Sequence, residues 1–132
     1  MRDIQFIVIH CSGADQNQTV DSIKRYWREV LGWKNVGYQW IVEASGKRHQ
    51  LAKDEQVTNG VAGQNSKCIH LCYIGGKDND NRTREQKQAL VDLVAFYKRK
   101  YPLAKVQGHR DFLNVAKSCP QFDAIPEFAN VV

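Results

Sequence analysis

No hydrophobic run in this chain approaches the roughly 20 residues that a membrane-spanning helix requires, so insertion into a bilayer is not expected. Low-complexity tracts, charged tails and internal repeats are also missing, which argues against disorder and leaves a globular chain. The apolar stretch Ile4 to Ile9 behind Met1-Arg2-Asp3 is too short for the hydrophobic region of a secretory signal plus a cleavage site. Synthesis and folding in the cytoplasm are therefore expected, with Cys11, Cys68, Cys72 and Cys119 as reduced thiols or metal ligands rather than a disulfide framework. Acidic residues are the scarcer sign of charge. Fourteen Asp and Glu against nineteen Lys and Arg give a formal net charge of +5, which favours an anionic partner such as nucleic acid, an anionic membrane or bacterial cell wall without choosing among them.

What is present fits one domain. The chain has 132 residues, 42% hydrophobic and 25% charged, enough for a single core and too few for two, so residues 1–132 are expected to form one domain. Ile4 to His10 is almost continuously apolar, as in a strand covered on both faces, with Ile4, Phe6, Val8 and His10 on one side. Thr19 can cap a helix whose apolar positions are Val20, Ile23, Trp27, Val30 and Leu31, with Gly32 as its stop. Tyr38 to Val42 and Lys47 to Leu51 read as strands joined by a turn at Ser45-Gly46. A loop from Thr58 to Ser66 leads to an apolar strand, Cys68 to Ile74, ended by Gly75-Gly76.

Thr83 and Gln86 form a capping-box pattern, and Leu90, Leu93, Val94, Tyr97 and Tyr101 supply the apolar stripe of a helix that Pro102 ends. The cations Lys98-Arg99-Lys100 suit the negative end of that helix dipole, which explains them without a nucleic-acid partner. A short strand at Lys105 to Gln107, a loop from His109 to Pro120 and a small helix after Asp123 complete the chain. This alternation predicts an α/β fold, a central sheet with helices packed on it. His10, Tyr38 and His109 stand at or just beyond strand ends and are expected to share one rim of the sheet.

Imidazole nitrogen and thiolate sulfur are donors that zinc prefers, so His10, His109 and Cys119 are candidate ligands with a fourth position left for water. Such an ion lowers the pKa of water and polarises a carbonyl, the chemistry of amide hydrolysis. No compact motif such as H-E-x-x-H is present, and a histidine at a strand end is commonly a hydrogen-bonded structural residue. Spacing alone leaves both readings open. Cys68, His70 and Cys72 share a strand face, but same-face neighbours lie about 6.8 Å apart, too far for one zinc ion, so buried thiols are expected there. Cys11 points away from His10 and should pack.

Four segments, Ile7-Val8-Ile9-His10-Cys11-Ser12, Gly37-Tyr38-Gln39-Trp40, Gly108-His109-Arg110-Asp111 and Lys117-Ser118-Cys119-Pro120, occur in the order found in type 2 N-acetylmuramoyl-L-alanine amidases. Over nearly its whole length the chain resembles that family, which includes small phage endolysins and shares its fold with peptidoglycan-recognition proteins. Gly32-Trp33, Asn65-Ser66 and Gly75-Gly76 add to the likeness. The resemblance implies a single domain with a central mixed β-sheet flanked by helices. It also implies Zn2+ held by His10, His109 and Cys119, and a catalytic site completed by Tyr38 and Lys117. Lys117 would stabilise the developing oxyanion, and Tyr38 would orient or hydrogen-bond the water, its protonic role not fixed by the sequence.

The implied reaction is hydrolysis of the amide between the muramic acid lactyl group and L-alanine, after release to the cell wall. The expected partner is bacterial peptidoglycan, with no specific nucleic acid, no membrane insertion and a monomer as the default state. The chain departs from the family at Gln39, where His is frequent, at Val61-Ala62, where a His-Ala pair is frequent, and at His70, where Gly is usual. Bulk at His70 is expected to alter packing or narrow the groove. Trp27 and Trp40 are expected in the core, and Trp33, which follows the helix stop, is the candidate among the three for exposure near the groove that the Gly37-Tyr38 turn borders. Arg110 and Asp111 either pair with each other or shape their loop. The alternatives are a noncatalytic peptidoglycan-binding module of the same fold and, with no docking motif to support it, a basic nucleic-acid-binding domain.

Overall fold

The computed structural model describes residues 2–113, 115 and 117–131, so positions 114 and 116 of the expected loop His109 to Pro120 lie outside it. Five strands form one mixed sheet: β1 (Phe6–Cys11), β2 (Trp40–Val42), β3 (Arg48–Gln50), β4 (Cys68–Tyr73) and β5 (Lys105–Gly108). Their spatial order is β3-β2-β4-β1-β5. The pairs β1/β4, β1/β5 and β2/β4 are parallel, and β2/β3 is antiparallel. The continuous apolar runs predicted as doubly covered strands are the two inner strands; β4 is buried along its whole length, and β1 is buried from Ile7 onward.

Register divides the side chains between two faces. His10 lies opposite Cys72 and Val8 opposite His70, so the even-numbered residues of β1 and β4 share one face. Ile7, Ile9, Ile69, Leu71 and Tyr73 pack on the other, against Leu90, Leu93, Val94 and Tyr97 of α2 (Arg84–Lys100) and against Phe128 after α3 (Ala124–Glu127). Ile4 departs from the expected pattern. It packs with this second cluster because β1 begins only at Phe6, and alternation does not extend into the irregular chain before it.

The Thr83 hydroxyl accepts the Gln86 N–H at 3.0 Å while the Thr83 N–H donates to Gln86 Oε1 at 2.9 Å. This reciprocal cap is the one the sequence predicts. At the other end Lys98 Nζ donates to the Ala104 carbonyl at 2.8 Å and Lys100 pairs with Asp54 at 2.5 Å. Two cations of the basic cluster are thus engaged within the protein, Lys98 with the chain that follows the helix and Lys100 with a distant loop carboxylate.

The first helix differs from its expected form. Thr19 accepts the Ser22 N–H as its cap, and α1 (Val20–Arg25) then widens into a π-helical turn, Tyr26–Val30. Val20, Ile23 and Trp27 pack over Ile41, Cys72 and Ile74. The wider turn rotates its own last residue, Val30, and the following Leu31 away from the sheet, leaving them 67% and 41% exposed where regular helical spacing predicts burial. Trp40, expected in the core, is partly buried and donates its indole N–H to the Tyr97 hydroxyl at 2.8 Å.

Candidate metal centre and active site

His10 is the penultimate residue of β1, only 1% exposed. His109 immediately follows β5, in a 3-10 turn held by Asp111, whose carboxylate accepts the Gly108 N–H at 2.8 Å. Arg110 pairs with Asp123 and not with Asp111, so of the two roles foreseen for this dipeptide only loop shaping applies. Since β1 and β5 are parallel neighbours, both imidazoles arrive at the same end of the sheet. Cys119 reaches them from the following loop, which the Cys119 carbonyl ties back by accepting the Arg110 N–H at 2.9 Å.

One ligand atom from each of His10, His109 and Cys119 lies within 4.8 Å of the others. His10 Nδ1 stands 3.9 Å from Cys119 Sγ. Tetrahedral zinc with ordinary bond lengths would separate nitrogen and sulfur donors by about 3.6 Å. The donor set and its spacing therefore fit zinc.

The electrostatics suit a cation that needs neutral imidazoles. Burial, followed by repulsion from His70, His109 and Lys117, holds His10 well below the usual histidine range. Burial likewise lowers His109, with a contribution from Lys117. The Cys119 thiol is pushed up by its side-chain hydrogen bond with Cys11 and by burial. Against this, the Cys11 backbone N–H donates to Cys119 Sγ at 3.1 Å, a contact that favours the thiolate. Cys11 itself packs in the core as expected, with its sulfur beside that of Cys119.

Tyr38 does not share the sheet rim with the histidines. It precedes β2 by two residues and reaches across the sheet face, its ring centroid 4.8 Å from that of His10 and 5.4 Å from that of Trp27. The route depends on Gly37, where an added Cβ would come 2.8 Å from the Trp27 ring. Burial and the neighbouring thiols of Cys72, Cys119 and Cys11 push the Tyr38 phenol well above its usual range, so it stays a neutral donor and acceptor. Lys117 is exposed and borders the site.

A cleft of about 750 Å³ and a second of about 800 Å³ share Trp33, Asn59, Gly60, His109 and Lys117 as walls. They form one groove with His109 and Lys117 at the junction. Trp33, the tryptophan that the sequence singles out as a candidate for exposure, stacks on Trp27 at 6.3 Å between centroids and borders the groove.

The sequence reading missed one partner of this site. In the sequence His70 stands out for its bulk and as a member of a discounted Cys68/His70/Cys72 metal set, but not as a neighbour of His10; its Nδ1 lies 2.8 Å from His10 Nε2. Gln39, another buried departure, accepts the His70 N–H at 2.8 Å and the Thr58 hydroxyl at 3.0 Å. Face alternation in two apolar strands could have suggested the histidine pair, but only strand adjacency makes it one.

The sequence model of the family described as N-acetylmuramoyl-L-alanine amidase matches residues 1–122. The endolysin of Enterobacteria phage K11 is 33% identical over 125 residues, spanning 90% of this chain and 81% of the relative. The endolysin of Klebsiella phage KP32 is 32% identical over 123 residues, spanning 89% and 80%. Among solved structures, the N-acetylmuramoyl-L-alanine amidase LysC from Clostridium intestinale URNW superposes with a TM-score of 0.81 at 22% identity, covering 96% of this chain and 82% of that one. Drosophila PGRP-LB gives 0.81 at 20% identity, covering 98% and 82%. These two likenesses show the fold. With the family match over most of its length and endolysin relatives above 30% identity, the chain belongs to the type 2 N-acetylmuramoyl-L-alanine amidases of the phage-endolysin type.

Proposed function

We propose that this protein uses zinc to hydrolyse the amide joining the lactyl group of N-acetylmuramic acid to L-alanine, and so lyses bacterial cell wall after release from the cell that makes it. The observation that carries this reading is the convergence of one histidine nitrogen from β1, one from the turn after β5 and one cysteine sulfur within 4.8 Å. His10, His109 and Cys119 would hold the ion. When bound, zinc would polarise the scissile carbonyl and bring the pKa of a water toward neutrality.

The remaining residues have distinct work. Tyr38, kept neutral by its surroundings, orients the attacking water by hydrogen bonding rather than acting as a general base. Lys117 places an ammonium beside the groove, where it stabilises negative charge as it develops on the carbonyl oxygen. Trp33 offers an aromatic wall to substrate. The groove runs to both sides of His109 and Lys117, which suits a substrate whose cleaved bond is internal, with glycan on one side and peptide on the other.

Digestion of purified peptidoglycan with and without a zinc chelator, followed by mass spectrometry of the fragments, tests the reading. Chelator-sensitive release of stem peptides beginning with free L-alanine is expected. Intact lactyl-peptide linkages in the presence of bound zinc would instead favour the noncatalytic binding module.

A further inference from the structure

We propose that His70 is a positioning residue for the metal centre: it accepts the Nε2–H of His10 and so selects the tautomer that presents His10 Nδ1 to the ion. The proposal rests on the zinc reading above and extends it to a residue outside the ligand set.

The direction of each proton follows from a chain of contacts that starts at a backbone amide. The Val61 N–H can only donate, and it lies 2.7 Å from Asn65 Oδ1. This assigns the Asn65 side chain with its oxygen, and not its nitrogen, toward Val61. The same oxygen is 2.9 Å from His70 Nε2. An amide oxygen has no proton to give, so His70 Nε2 carries the hydrogen and donates. In a neutral ring the other nitrogen is then a bare acceptor. His70 Nδ1 lies 2.8 Å from His10 Nε2, which must donate in turn. His10 is left with its lone pair on Nδ1, the nitrogen facing Cys119 Sγ.

Each member of this chain is held in place. His70 has no exposure to solvent, and its backbone is bonded from both sides by Gln39, which accepts the His70 N–H through Oε1 and donates its own N–H to the His70 carbonyl at 3.0 Å. Gly60 passes directly over the ring; an added Cβ there would overlap His70 Nδ1, Cε1 and Cγ. Space for the imidazole therefore depends on glycine at position 60. A histidine that merely filled the core would need no such directional order, whereas a metal ligand gains from it: a partner on the second ring nitrogen fixes the tautomer, orients the ring and raises its basicity.

Long-range 1H–15N correlation spectra of the histidine rings in the metal-free wild-type protein read the tautomers directly. Nε2–H on both His10 and His70 is expected; Nδ1–H on His10 would overturn the proposal without any variant. Zinc affinity, measured by competition with a chromophoric chelator, then tests the consequence. His70→Leu removes the acceptor at similar volume and should weaken zinc binding about 10- to 100-fold. In His70→Asn the side-chain oxygen falls near the place of Nδ1, and most of the loss should be recovered. Circular dichroism melts of the metal-free variants check that both fold. Wild-type affinity in His70→Leu, or an equal loss in both variants, would overturn the proposal. Wild-type protein with the expected tautomers but no zinc binding would defeat the zinc reading and the positioning role together, while zinc bound with the other His10 tautomer would defeat the positioning role alone.

Discussion

Cys119 Sγ lies 3.9 Å from His10 Nδ1 although 109 positions separate the two residues in the chain. The histidine is anchored in an inner strand and the cysteine in a loop, so a shared ion would tie the loop to the sheet. Cys119→Ala is therefore expected to lose zinc and peptidoglycan hydrolysis together, measured as metal content after dialysis and as fragment release. A metal-free Cys119→Ala protein with full activity would exclude the ligand assignment.

Lys117 is exposed at the junction of the groove and is not one of the proposed zinc ligands. If its ammonium acts on charge that exists only in the transition state, Lys117→Ala should lower kcat by about 10²- to 10³-fold while zinc content and KM change little. A change in KM alone would contradict this role.

Arg82 tests the scaffold independently of the site. Its buried guanidinium pairs with Asp80 at 2.8 Å and with Glu127 at 2.6 Å, and stands 3.4 Å from the Phe122 ring centroid. Removing one partner of a buried ion pair costs about 3–5 kcal/mol, and because both carboxylates retain some access to water the lower end, about 3 kcal/mol, is expected for Arg82→Met. Denaturant midpoints would show the loss, with zinc affinity at saturating native conditions unchanged. A difference below about 1 kcal/mol would mean that the network contributes little.

The metal-free protein should lose stability in acid through its buried imidazoles. Burial, with repulsion from His109 and Arg2, pushes His70 down to about 3, and His10 is also held well below its usual range. An unfolded histidine titrates near 6.5, so below that pH the unfolded chain binds protons that the folded one refuses. Stability then falls by roughly 1.4 kcal/mol per pH unit for each such histidine, from pH 6.5 down toward the folded value, and is independent of these groups above about pH 7.5. Unfolding free energies between pH 5 and 8 measure the slope. His70→Leu should make it shallower by about one proton; equal slopes in the variant and the wild type would show that His70 is not held neutral.

Local signals were the legible part of the fold. Thr83 and Gln86 announced α2 because both halves of a capping box lie within one helical turn, and the apolar runs announced β1 and β4 because inner parallel strands need no polar face. Misreadings came where a nonlocal contact changed local geometry. The turn at Tyr26–Val30 widens as Trp27 packs against the sheet and Gly37 passes close to its ring, and helical spacing alone would have buried Val30 and Leu31.

For the site, the sequence by itself determined which donors exist and, through four ordered motifs, the family whose chemistry they suit. It placed His10 at the end of one strand and His109 just after another, since those positions depend on neighbours in the chain. Tertiary structure alone decided that β1 stands between β4 and β5, so that His10 meets His109 on one side and His70 on the other. It also decided that Tyr38 enters across the sheet face and that Arg110 turns to Asp123 rather than to its neighbour Asp111. Strand order and loop closure are set by the packing of the whole core, a sum over contacts distant in sequence, and no short segment carries that information.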